Sequence, residues 1–283
     1  MTIVLMLMGF GLCLFLLEAL FPLRQRTRAL VRRLITNLCM SAFAFAVAAL
    51  IVRPVGLSLA AWTTVKPFGL LHLVALPAVV RFGLAFVLMD LTFYYWHLAN
   101  HMLPVLWRFH NVHHLDPDLD VSTALRFHLG EVLLSAGFRV LQVGLIGLPP
   151  LTYMIYEGVF QASTLFHHSN VRLPLRAERL LNLVLVTPRM HGIHHSVVAG
   201  ETNANYSTVF SWWDRLHRSL RLDIPQASLV IGIPAYHEPV DNTLWNLLVL
   251  PFRKQRAYWY WPDGSRPTRD ITATRARRTR MMA

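Results

Sequence analysis

Residues 2–22 carry a single charged side chain, Glu18, in an otherwise apolar run. A helix needs about 20 such residues to cross the hydrocarbon core of a bilayer. A second apolar run, 34–52, follows the basic stretch "PLRQRTRALVRR" with Arg24, Arg26, Arg28, Arg32 and Arg33. Runs of this length must either span a membrane or be buried inside a large core. Composition decides between them: 54% of the residues are hydrophobic and 15% charged, against about 25% charged in soluble domains. The chain reads as an integral membrane protein. The positive-inside rule puts the basic loop in the cytoplasm and the N-terminus outside. No basic n-region or small-x-small cleavage site accompanies the first run, so it is expected to be a retained anchor.

Residues 53–77 contain Pro54, Gly56, Pro67, Gly69 and Pro77. They read as a non-cytoplasmic connection with a short interfacial piece, "GLLHLVAL". A third span is expected from near Ala78 to about Tyr95; its Arg81 and Asp90 should face protein, not lipid. Residues 130–166 are apolar around "GLPP" and read as a helical hairpin with both ends on the cytoplasmic side. Arg139, Gln142, Glu157 and Gln161 mark a protein-facing or wet side of that hairpin. From 167 onward no further span is expected; "TLWNLLVLPF" (243–252) suits the interface, and the tail "RARRTR" suits headgroups or disorder. The predicted fold is all-α and membrane-integral. It has about four membrane helices (two spans, a third span and a hairpin), capped by a cytoplasmic helical domain. Three regions follow: 1–77 as the membrane anchor, 78–242 as the catalytic region, and 243–283 as an interfacial segment with a basic tail.

The net charge is +12, and all but two of the 27 basic residues are arginine. Without a nucleic-acid motif this reads as contact with anionic headgroups, and no nucleic acid is expected as a partner. Cys13 and Cys39 lie in apolar runs, which argues against a disulfide framework or a thiolate metal site.

The histidines carry the chemistry. "HLANH" (97–101), "HNVHH" (110–114) and "HGIHH" (191–195) place imidazoles at i, i+3 and i+4, one face of a helix. Neutral imidazole ligates iron, zinc and copper. Counting His128 and His168, ten imidazoles are available for two metals, five apiece with a position left open. That suits dioxygen activation better than hydrolysis, and H-E-x-x-H is absent. His72, His217 and His237 read as structural, and His167 fits the pattern less well than His168.

The chain resembles the fatty acid hydroxylase/sterol desaturase superfamily of histidine-rich membrane di-iron oxidases. The matching pieces are "DLTFYYWHLANH" (90–101), "LWRFHNVHH" (106–114), "RFHLGE" (126–131), "FHHSN" (166–170), "TPRMHGIHHS" (187–196) and "NANYSTVFSWWDRLH" (203–217). The resemblance implies ten ligands: His97, His101, His110, His113, His114, His128, His168, His191, His194 and His195. It is what raises the singletons His128 and His168 to ligands. Leu98 departs from the family's frequent arginine, and His217, Arg218 and Ser219 from its Phe-Gly-Thr. A ligating imidazole usually gives its second N–H to a carboxylate or carbonyl. Asp90, Asp116, Glu131, Asp214, Asn170 and Asn205 are candidates for that role.

The resemblance implies two iron ions, with zinc an alternative occupant. It also implies O2-dependent oxidation of a lipid C–H bond, such as one on a sterol or fatty acyl chain, to an alcohol or an alkene. No flavin, nicotinamide or haem motif is present, so electrons are expected from an external ferredoxin, cytochrome or reductase. Two alternatives stay open: a zinc-dependent lipid hydrolase or isomerase on the same histidines, and a non-enzymatic membrane metal-binding protein. The expected location is a bacterial inner membrane with the site on the cytoplasmic side, or the endoplasmic reticulum in a eukaryote.

Overall fold

A computed structural model describes residues 2–269; the "RARRTR" tail lies outside the described residues. The chain begins with α1 (Thr2–Leu20) and α2 (Leu30–Val47). A π turn at Ala48–Val52 leads directly into α3 (Arg53–Val65), with right-handed helical backbone at both joints. Residues 53–65 are therefore helix, which corrects the expectation of a connection over 53–77. Pro54 lacks an N–H, and its ring crowds the carbonyl four residues back. A wider π turn at that point relieves the conflict without ending the helix. α3 then packs on the later helices α6 and α7, with the Tyr153 ring against Gly56 where a side chain would stand.

α4 (Ala78–Met102) extends beyond the expected span and carries the whole of "HLANH". α5 (Pro104–His114) opens on proline in its first turn, where the missing N–H costs nothing. α6 (Leu129–Ile146) and α7 (Pro150–His168) form the expected hairpin. Gly147 turns the corner with φ of 74°, in the left-handed region that favours glycine. Short helices complete the chain: α8 (Leu175–Leu181), α9 (Pro188–His194), α10 (Ala199–Thr202), α11 (Trp212–Leu216) and α12 (Leu244–Val249). No strand occurs among the described residues, only three isolated bridges; one, Pro22 to Val171, ties the end of α1 to the end of α7.

Among the described residues four helical stretches are long and apolar enough to cross a membrane: α1, the α2–α3 run, α4 and α6. Large apolar side chains such as Leu5, Met6, Val79 and Leu141 point outward from them. The protein is an all-α integral membrane protein. Ala60, Ala85, Met89, Val143, Tyr153 and Tyr156 build the core between α3, α4, α6 and α7.

Glu18, Arg33 and Arg139 face protein. Glu18 accepts the N–H groups of Val121 (3.1 Å) and Asn170 (2.9 Å). Arg139 pairs with Glu157 at 2.7 Å and stacks on Phe93 and Phe160. Arg33, near the start of α2, meets Asp116 and Asp120 at 2.7 Å each. The "FYYW" rings also pack on protein: Phe93 on Phe160, Tyr94 against Ser219, Tyr95 against His217, and Trp96 stacked on Phe138. These contacts bring the C-terminal ends of α4 and α7 and the N-terminal end of α6 together with α5 and α9.

Candidate metal centre

Nine of the ten expected ligands come together in two adjoining groups. His97, His101, His110, His114 and His194 form one; His113, His168, His191 and His195 form the other. In each group the candidate ligand atoms all lie within 4.8 Å of one another, and every residue is buried. The helical spacings do what they predict. α4 presents His97 and His101, α5 divides its triplet between the groups, and α9 does the same.

The nitrogens approach at ligand-shell distances. In the first group Nε2 of His110 is 3.2 Å from those of His97 and His114, and His97 is 3.1 Å from His194. In the second, His168 lies 2.9 Å from His113 and 3.0 Å from His191, which is 3.1 Å from His195. Imidazoles bound at about 2.1 Å and at right angles would stand about 3.0 Å apart, and at the tetrahedral angle about 3.4 Å. The observed separations, 2.9–3.2 Å, fall in the range of nitrogens that share one metal ion. Five donors in one group also exceed the four of a tetrahedral zinc site.

Tautomers explain why these nitrogens can share one centre. A carbonyl only accepts, so a ring nitrogen bonded to it must carry the proton. Nδ1–H of His97 donates to Tyr206 O (2.7 Å), that of His194 to Ala204 O (2.6 Å), and that of His168 to Thr164 O (2.8 Å). His113 donates to Arg126 O at 3.3 Å, and His110 to the Glu131 carboxylate at 2.8 Å. Each of these rings turns an unprotonated Nε2 inward. Burial, then mutual repulsion, pushes His113, His114, His191, His194 and His195 well below the usual imidazole range. Neutral lone pairs facing each other repel, and a bound cation converts that repulsion into coordination. The donor set fits two metal ions.

The segment after α10 holds the rings. Its carbonyls at Ala204, Tyr206 and Thr208 alternate toward His194, His97 and His167. Its amides meet carboxylates: Asp214 accepts the N–H of Tyr206 (2.9 Å) and Ser207 (2.8 Å), and Asp90 those of Val209 (3.3 Å) and Phe210 (3.0 Å). Asn205 adopts φ of 57° and bonds Met190 O and Arg221 O, both at 2.8 Å. Asparagine tolerates that left-handed conformation better than most residues.

Of the proposed supporting residues, Glu131 alone touches a histidine of the two groups. Asp90, Asn205 and Asp214 act through the backbone that the rings bond. Asn170 binds the backbone of Arg24 on both its N–H and carbonyl sides (2.9 and 2.8 Å). Asp116 binds Arg33, Asn37 and Thr123.

His128 stands apart from both groups. Its Nδ1 accepts the Gly130 N–H (2.9 Å) as the N-cap of α6, so its Nε2 carries the proton and donates to Leu248 O (3.0 Å). Neither nitrogen has a lone pair left for a metal. His167, set aside in the sequence, is buried with its ring centre 4.1 Å from that of His191. Its Nδ1–H goes to Thr208 O at 3.1 Å. His72, His217 and His237 join neither group.

Fold and site together define an integral membrane protein with a buried histidine cluster able to bind metal. Residues 82–219 match the fatty acid hydroxylase family. It is similar to the ornithine lipid hydroxylase OlsE of Rhizobium tropici, 31% identical over 56% of this chain and 46% of that one. Human cholesterol 25-hydroxylase is 28% identical over 48% of this chain and 49% of its own. The alkylglycerol monooxygenase of Danio rerio is 29% identical over 62% and 38% respectively. The chain thus spans about half the length of these three relatives, or less. No solved structure matches it.

Proposed function

We propose that this chain is a membrane-bound, dioxygen-dependent oxidoreductase that hydroxylates a C–H bond of a lipid. The observation that carries the proposal is the pair of inward-facing imidazole groups, five and four strong. His97, His101, His110, His114 and His194 hold one iron ion; His113, His168, His191 and His195 hold the other. Bound iron would supply dioxygen activation. The overall reaction, R–H + O2 + 2 e⁻ + 2 H⁺ → R–OH + H2O, draws its electrons from a separate carrier. The protein's share is to fix the tautomers of His110, His97 and His194 through Glu131 and the Tyr206 and Ala204 carbonyls, and to keep the site dry. It also admits a lipid carbon laterally between the membrane helices.

The names of the relatives, all lipid hydroxylases or monooxygenases, support hydroxylation over desaturation. Zinc hydrolysis is the weaker reading. It needs a free carboxylate base, and Glu131 is engaged with His110. The site lies on the cytoplasmic side, by the arginine-rich loop between α1 and α2. Residues 1–77 serve as anchor, 78–242 as catalytic region and 243–283 as interfacial segment, with Arg33–Asp116 and Glu18–Asn170 fastening the first to the second.

The test is isotopic. Anaerobically purified, iron-loaded protein is given 18O2, a chemical reductant and lipid extract from its host. The expected result is one 18O atom in a lipid hydroxyl, absent from the His113→Ala/His194→Ala variant. Oxygen uptake with no label in any lipid would contradict hydroxylation.

A further inference from the structure

The loop joining α1 to α2 encloses a second polar site, away from the histidines. A cavity of about 140 Å³ is lined by Arg24, Arg26, Arg28, Asp118, Asn170 and His237, among others. Its positive charge is not balanced from within. The Asp118 carboxylate is taken by the Thr27 and Arg28 amides (2.8 and 2.9 Å) and the Thr27 hydroxyl (2.9 Å). Arg28 donates to His237 O at 2.9 Å, and Arg26 reaches Glu18 only at 3.5 Å.

Arg24 is the clearest case. Its side chain is 9% exposed, and Nη1 donates to Gln226 Oε1 at 2.6 Å and Pro188 O at 3.4 Å. Nε and Nη2 are buried without a partner, as is Nε of Arg26. Among the described residues Arg24 forms no ion pair. Burial pushes its guanidinium down to about 10. Glu178, Glu18 and Asp120 offset only part of that burial, and an anion arriving beside the guanidinium would offset more.

We propose that this cavity binds the anionic headgroup of a membrane lipid, its phosphate or carboxylate oxygens meeting the arginines of the α1–α2 loop. A lipid is favoured over a free anion by the surroundings. The cavity sits where α1 ends at Leu20 and just before α2 begins at Leu30, the headgroup level of two membrane-length helices. Leu20 and Phe21, beside it in the chain, are 70% and 51% exposed and offer apolar surface to an acyl chain. Arg24 also packs against Gly192 in "HGIHH", so an occupied site would brace the second histidine triplet. The site stands whether or not the histidines hold iron.

The test uses the full chain in neutral detergent, titrated with short-chain phosphatidylglycerol, short-chain phosphatidylcholine or inorganic phosphate. Thermal midpoint and intrinsic tryptophan fluorescence are the readouts. Phosphatidylglycerol should raise the midpoint saturably where phosphatidylcholine does not. Its affinity should fall about tenfold in Arg26→Gln and in Arg28→Gln, as expected for one lost charge-assisted contact. Circular dichroism checks that each variant is folded, and two variants guard against the misfolding of either. Equal responses to both lipids would overturn the proposal. So would an unchanged affinity in both folded variants. Inorganic phosphate matching phosphatidylglycerol at equal concentration would overturn the lipid assignment, leaving a free-anion site.

Discussion

Glu131 Oε1 accepts the Nδ1–H of His110 at 2.8 Å, at the first turn of α6. Among the described residues it is the one carboxylate in direct contact with the two histidine groups. A carboxylate in this position fixes the tautomer of the ring and raises its basicity, and loss of such a partner typically weakens metal binding about 10–100-fold. Glu131→Gln keeps an acceptor oxygen but loses the charge. It should weaken one metal site within that range and leave the other unchanged, and Glu131→Ala should weaken it more. Cobalt(II) titration followed by ligand-field absorption separates the two sites. Equal weakening of both would place Glu131 in a general structural role.

His128 and His191 should behave oppositely. His128→Ala removes the N-cap of α6, worth about 0.5–2 kcal/mol, and frees the Leu248 carbonyl. Stability should fall while metal stoichiometry is kept. His191→Ala should lose one metal ion per chain. Metal analysis by mass spectrometry beside thermal denaturation reads both. Metal lost from folded His128→Ala would return that residue to the ligand set.

A Cβ on Gly192 would strike the buried Arg24 guanidinium, which would have to shift from its bond to Gln226. Gly192→Ala should destabilise the protein by about 1–3 kcal/mol, the usual cost of overpacking. Adding Arg24→Ala should recover part of that loss. Strict additivity in the double-mutant cycle would mean that the two groups do not meet.

Asp116 governs the acid limit. Burial alone would raise its carboxyl, but the Arg33 and Arg126 guanidinium groups and the Asn37 hydrogen bond hold it well below the usual carboxylate range. The folded value lies below the unfolded value of about 3.9. The unfolded chain therefore binds the extra proton first, and stability present above pH 4 is lost as pH falls toward the folded value. Asp116→Asn should be less stable at neutral pH and show a flatter stability profile below pH 4. An unchanged acid limb would assign that limb to other carboxylates.

Helical periodicity made much of this legible. Spacing at i, i+3 and i+4 identified the faces of α4, α5 and α9 whose imidazoles converge, and hydropathy found the membrane-length helices. Pro54 misled, because a π turn can absorb a proline that local rules read as a stop. His128 was carried by resemblance, and its cap on Gly130 depends on a turn that spacing does not encode. The alternating carbonyls at 204, 206 and 208 were also hidden, since backbone acceptors leave no mark on residue type. Asp90, Asn205 and Asp214, which shape that segment, hinted at it.

The central claim is that two groups of imidazoles hold two metal ions. Metal bound per chain, in protein purified anaerobically under iron supply, tests it most directly, with the His113→Ala/His194→Ala variant as comparison. The account predicts about two iron ions per chain, one for each group, and their loss in the variant. No metal in the intact protein, or the same amount in both proteins, would contradict it.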